Sequence, residues 1–150
     1  MTTLNEIATD SDVAPRRERL RFVGFEFDQL PNSRCQARVA LEWHPGARFE
    51  GESEGFGSDA GALRCAAEAT LTAIEHAVDG SISVELLGVK SVRAFDTVVL
   101  IVSVLCRRGD KSYRVVGSFL AKTDLTRGAA VAVLNATNRL LGNIFGRETR

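Results

Sequence analysis

The sequence predicts an α+β fold built from a duplicated βββα unit, two helices packed on a largely antiparallel sheet with pseudo-two-fold symmetry. Three observations predict it: the chain repeats itself, each copy opens with alternating apolar residues, and each copy closes on helical spacing. The repeat is clearest where Arg64-Cys65-Ala66-Ala67-Glu68-Ala69-Thr70-Leu71-Thr72-Ala73 aligns with Arg127-Gly128-Ala129-Ala130-Val131-Ala132-Val133-Leu134-Asn135-Ala136 as RxAAxAxLxA, 63 residues on from Arg64 to Arg127. The same offset sets Gly46 on Gly109 and Arg48 on Lys111, and one residue more sets Val23-Gly24-Phe25 on Leu87-Gly88-Val89. A period this long is one supersecondary unit, and two copies make one domain sharing a core rather than a solenoid.

Residues 1–18, with Asp10, Asp12, Pro15 and Arg16-Arg17 and little apolar periodicity, read as a flexible arm. The domain spans 19–143, with copies at about 20–78 and 82–141, and 144–150 form a tail. In Leu20 to Phe27 apolar residues mostly alternate, as in a strand, and Gly24 suits a bulge. Leu30-Pro31-Asn32-Ser33 turns the chain. Val39, Leu41 and Trp43 alternate with Arg38, Ala40 and Glu42 in a second strand, and His44-Pro45-Gly46 closes it into a hairpin with Arg48 to Glu54. Ala62, Ala66, Ala69, Ala73 and Ala77 then fall three and four apart, which is helical. The second copy places strands at Ile82–Ala94, Val98–Cys106 and Tyr113–Ala121 and a helix at Leu125–Leu141. Val98 to Val102 is apolar on both faces, as expected of a central strand covered on both sides. The alanine stripe reads first as a packing surface. An open six-stranded sheet would leave a face and edges to cover, which a homodimer achieves.

Nineteen Lys and Arg balance nineteen Asp and Glu in 150 residues, so no global field draws the chain to nucleic acid or an anionic membrane. Without an apolar run of spanning or leader length, and with a polar N-terminus, a cytoplasmic protein is expected. Cys35, Cys65 and Cys106 are far apart and lack metal-ligand spacing, which points to reduced, buried thiols. His44 precedes a Pro-Gly turn and His76 ends a helix beside Glu75, so neither suggests a metal site. HExxH and P-loop motifs do not occur; no catalytic role and no cofactor are expected. Arg107-Arg108 with Lys111 and Arg114 reads as a solvated basic turn, since only Tyr113 offers a stacking ring.

The stretch Ala132-Val133-Leu134-Asn135-Ala136-Thr137-Asn138-Arg139, preceded by Gly117 and Asp124, resembles the closing helix of the LeuA-type regulatory domain of 2-isopropylmalate synthase and citramalate synthase. That domain is a duplicated βββα dimerisation module that binds an end-product amino acid near the subunit interface. The resemblance covers nearly all of residues 20–142, implying a stand-alone allosteric module with an amino-acid or 2-keto or 2-hydroxy acid effector and a protein partner, without the catalytic barrel. Departures are plain: the family's Gly-Asn-Gly-Pro-Val-Asp-Ala is here Gly55-Phe56-Gly57-Ser58-Asp59-Ala60-Gly61-Ala62, and its second Gly-x-Gly is Gly117-Ser118-Phe119.

A glycine-rich strand-to-helix turn gathers backbone N–H groups at the positive end of a helix, which suits a carboxylate. Gly55, Gly57, Ser58, Asp59 and Asp124 are the candidate contacts, with an aspartate receiving the ammonium of an amino acid. The competing reading is that Ser58 or Asp59, and Thr123 or Asp124, simply cap the helices. A polar pocket between these loops favours an effector-binding module; loops closed by Phe56 and Phe119 favour a structural or adaptor homodimer that has lost its ligand site.

Overall fold

The computed structural model describes residues 19–43 and 46–148, those beyond 141 as helix backbone. The order is β1 (Leu20–Leu30), β2 (Arg34–Trp43), β3 (Ala47–Phe56), α1 (Asp59–Ala77), β4 (Ser83–Ala94), β5 (Thr97–Arg108), β6 (Lys111–Ala121) and α2 (Leu125–Glu148). The expected N-terminal arm, His44 and Pro45 lie outside the described residues. The α2 backbone carries on through Gly142 to Glu148, beyond the expected end at Leu141. One interior glycine costs a helix about 1 kcal/mol and does not by itself end it.

Each copy folds into an antiparallel meander with β2 or β5 in its centre. The six strands form two three-stranded sheets rather than the single open sheet expected, and the helices lie between them. Helix α1 packs on β2 and β3 of its own sheet, on β4 of the other, and on α2; helix α2 packs on β5, β6 and β1. The physical reason lies in the helices. Cys65, Ala69 and Ala73 on one side of α1, Ala67 and Leu71 on another, and Leu63, Ala66, Thr70 and Ile74 between them are all buried, an arc of about 240° at 100° per residue, and a helix buried on several sides needs cover on several sides.

The alanine stripe is a packing surface, and its partner is a glycine in each third strand. A Cβ on Gly51 would stand 2.3 Å from the Ala69 carbonyl oxygen, and one on Gly117 would stand 2.3 Å from that of Ala132. Each helix backbone therefore rests almost directly on its own sheet. Gly117 thus has Gly51 as its counterpart, not a glycine of the Gly55–Gly57 turn.

The repeat extends to irregularities. Both first strands bulge at the same place, between Phe22 and Gly24 and between Leu86 and Gly88. Both first hairpins turn through paired residues of positive φ, Asn32-Ser33 and Phe95-Asp96. In the third strands the offset grows: Leu41 pairs with Phe49 but Val104 with Val115, so the second hairpin carries three more residues. Arg48 thus corresponds to Arg114, not to Lys111. Helix α2 begins correspondingly late, at Leu125 against Asp59 in α1, so three residues are lost from its first turn and the helix bodies keep their 63-residue spacing.

Strand β5 is central, as expected, but only its inner face is covered. Leu100, Val102, Val104 and Cys106 are buried against the helices, while Ile101 on the opposite side is exposed.

Candidate functional site

The N-termini of the two helices open on one cleft of about 440 Å³, lined by Asp59, Ala60, Ala62 and Leu63 of α1, Leu125 and Thr126 of α2, and Val89, Lys90 and Ser91 of β4. The first turn of an α-helix leaves backbone N–H groups without intrahelical partners, and its dipole favours negative charge there. Two such turns give the cleft its positive side, and Lys90 lines its edge from a cross-strand row that, through Ile101, faces outward. The Asp59 carboxylate gives the cleft a negative side, and Leu63, Val89 and Leu125 an apolar wall. Its volume is that of a small-molecule site, which runs from about 300 to 1,000 Å³.

The five candidate residues divide. Ser58 is the N-cap of α1, its Oγ accepting from the Gly61 N–H at 3.1 Å. Asp124 caps α2, its Oδ1 accepting from the Arg127 N–H at 3.1 Å and the Thr126 hydroxyl at 2.9 Å. The capping reading thus holds for both, with Ser58 and Asp124, rather than Asp59 and Thr123, in the cap positions. Gly57 donates its N–H to the Ser33 carbonyl at 2.7 Å, and a Cβ there would crowd Gln29 and the Ser33 and Arg34 carbonyls, so it seats the turn against the β1–β2 hairpin. Gly55 lies in β3 opposite Cys35, its hydrogen toward Cys65. Of the five, Asp59 lines the cleft.

Neither phenylalanine closes it. Phe56 is 71% exposed on the outside of the first sheet, beneath the Arg34 guanidinium at 5.5 Å from its ring centroid. Phe119 points inward against Gly128. Sequence reasoning missed Val89, Lys90 and Ser91, which come from the first strand of the other copy and carry no motif. The signal available was the repeat itself: a shared core implies that each helix meets a strand of the other unit.

Asn138, in the stretch that carries the family resemblance, is structural. It is buried, donating from Nδ2 to the Leu20 carbonyl and accepting at Oδ1 from the Leu20 N–H, both at 3.0 Å. The pseudo-symmetric position on α1 is Glu75, whose Oε2 accepts from the Val84 N–H at 3.2 Å. Each helix thus fastens the start of the other copy's first strand. A hollow of about 530 Å³ beside the C-terminus of α1 is lined by Glu75 and His76, but Glu75 is engaged in that clamp and His76 Nδ1 lies 2.6 Å from the Glu50 carbonyl.

All three cysteines are free and buried. Burial, with Cys35 alongside, pushes the Cys65 thiol up to about 11, and burial does the same to Cys106. Neutral thiols at these sites are poor nucleophiles. Among the described residues no three His, Cys, Asp or Glu side chains converge as a metal site, and no helix is long and apolar enough to cross a membrane. Comparison with protein-family models and with curated proteins yields no match to this chain.

Proposed function

We propose that the chain is a non-catalytic regulatory module that binds a small amino-acid-like effector in the cleft between its helix N-termini, dimerises, and passes ligand occupancy to a partner protein. One observation carries this reading: both positive helix ends open on the same hollow, whose lining includes Lys90 and Asp59. A zwitterion with an apolar side chain matches that pattern. Its carboxylate would meet the first-turn N–H groups and Lys90, its ammonium Asp59, and its side chain Leu63, Val89 and Leu125. A 2-keto or 2-hydroxy acid shares the carboxylate and lacks the ammonium. In this reading the chain is a stand-alone counterpart of the LeuA-type regulatory domain that its sequence resembles.

The second reading, an adaptor homodimer without a ligand, is favoured by the caps: Ser58, Asp124 and the Gly57 N–H are already engaged within the chain. A thermal-shift screen of the amino acids and their 2-keto and 2-hydroxy analogues separates the two. A ligand at 100 times its dissociation constant stabilises the folded state by about 2.7 kcal/mol, enough for a saturable rise in Tm. The rise should shrink in Lys90→Ala for every carboxylate, and in Asp59→Asn for amino acids alone. A flat response across the screen overturns the effector reading.

A further inference from the structure

We infer that the outer face of the β4–β5–β6 sheet is the homodimer interface, a second copy lying across it about a two-fold axis that runs along β5; this rests on the dimer reading above and names its surface. The two outer faces occupy equivalent positions in the repeat and have opposite chemistry. On the first sheet, one cross-strand row is Glu26–Arg38–Glu52, joined by ion pairs of 3.2 and 2.9 Å, and the next is Asp28–Gln36–Glu54. The matching rows on the second sheet are Lys90–Ile101–Ser118 and Val92–Val99–Leu120. Where Glu50 stands on β3, β6 carries Val116. Leu120 is 62% exposed and Val116 54%, and Leu87 and Ile101 are exposed beside them. Phe95, 97% exposed, stands in the turn between β4 and β5.

The first face keeps its charges in water; the second is suited to leaving it. A heterologous contact between them would strip the Glu26–Arg38–Glu52 row of solvent, whereas an isologous contact sets the Val92–Val99–Leu120 row and Ile101 of one copy on those of the other. Charge complementarity fixes the axis. The next polar row is Glu85–Leu105–Arg114, with opposite charges on the two edge strands. An axis along β5 exchanges the edges, bringing Glu85 of each copy opposite Arg114 of the other. Glu85 already holds Arg107 at 3.3 Å, so the row joins a charged rim around an apolar centre. Three strands of eleven or twelve residues make a face of about 500 Å² in projection, the same order as the ~800 Å² per partner of a standard interface.

Sedimentation equilibrium of the full chain over a concentration series, up to about 100 µM, tests this, since face-to-face packing on this scale gives dissociation constants at or below the micromolar range. Ile101→Arg and Leu120→Glu restore the residues that the first copy carries at the matching positions, and both sites face solvent in the monomer, so folding by circular dichroism should not change. Each should weaken the dimer at least tenfold. Glu85→Arg should also weaken it, and Glu85→Arg with Arg114→Glu should recover it. A wild-type chain that stays monomeric overturns both the interface and the homodimer reading. A dimer indifferent to Ile101→Arg and Leu120→Glu overturns this face alone, and charge reversal without recovery overturns the axis. Ligand binding is read separately by the thermal-shift screen.

Discussion

At the scale of single residues, the contacts that define this chain are backbone contacts in which one atom decides. Asn138 satisfies both polar groups of Leu20 in a buried place. Asn138→Ala removes two hydrogen bonds and leaves a buried N–H and C=O to find other partners, a loss of about 2–4 kcal/mol at ~1–2 kcal/mol per group. Urea unfolding measures it, and Asn138→Asp, which sets a buried carboxylate oxygen against the Leu20 carbonyl, should cost at least as much at neutral pH. Glycine separates in the same way. Gly117→Ala sets a methyl against the Ala132 carbonyl and should cost at least about 1–3 kcal/mol, as overpacking does. Gly88→Ala, in the β4 bulge with open space around its Cβ, should be close to neutral. Phe95 offers the opposite sign. It holds φ at 55°, a left-handed conformation that a bulky side chain adopts at a cost, where the matching residue of the first copy is Asn32 at 64°. Phe95→Asn should therefore raise monomer stability by about 1 kcal/mol, while removing an exposed ring from the turn between β4 and β5.

At the scale of elements, what could be read from the sequence is what local periodicity encodes. Alternation in Leu20–Phe27 and Val39–Trp43, the alanines of α1 and the bulge at Gly24 were all legible, because each depends on neighbours within a few residues. The shift of the third strand was not, since three residues added in one hairpin and removed from the first turn of the next helix leave the helix spacing unchanged. The two-sheet arrangement depends on which sides of a helix find cover, and alanines around an axis do not say against what they pack. The cleft was half legible. Its helix N-termini are announced by Ser58 and Asp124, whereas Lys90 reaches it only through the packing of α1 on β4. Elements also set the response to pH. Cys65 lies between α1 and its sheet and Cys106 between β5 and the helices, and burial raises both thiols from their ordinary value near 9 to about 11. The folded state keeps these protons where the unfolded chain gives them up. Their contribution is thus full below about pH 9 and is lost as pH rises from there to about 11. Unfolding in urea across that range should show declining stability, with a shallower decline in Cys106→Val, and thiol reagents at pH 8 should modify the three cysteines only after denaturant is added.

At the scale of the whole molecule, the proposed ligand cleft and the inferred dimer face are two sides of one strand. Val89 and Ser91 reach the cleft from the inner side of β4, and Lys90 lines the same cleft while standing in the row that continues through Ile101 to Ser118. A carboxylate drawn to Lys90 alters the charge at the edge of the apolar face, so the two equilibria should be coupled. Thermodynamic linkage makes the coupling reciprocal: whatever factor the ligand applies to the dimer dissociation constant, dimerisation applies to ligand affinity. Couplings of this kind are typically 1–3 kcal/mol, about 5- to 150-fold. The Ile101→Arg chain, held monomeric, then supplies the affinity of the uncoupled site. Calorimetric titration of this variant and of the wild-type dimer with one ligand should differ by the same factor, per site, by which that ligand moves the wild-type sedimentation equilibrium. Equal affinities with an unmoved equilibrium would make cleft and face independent, leaving β4 a shared scaffold and signalling to a partner dependent on some element other than the dimer.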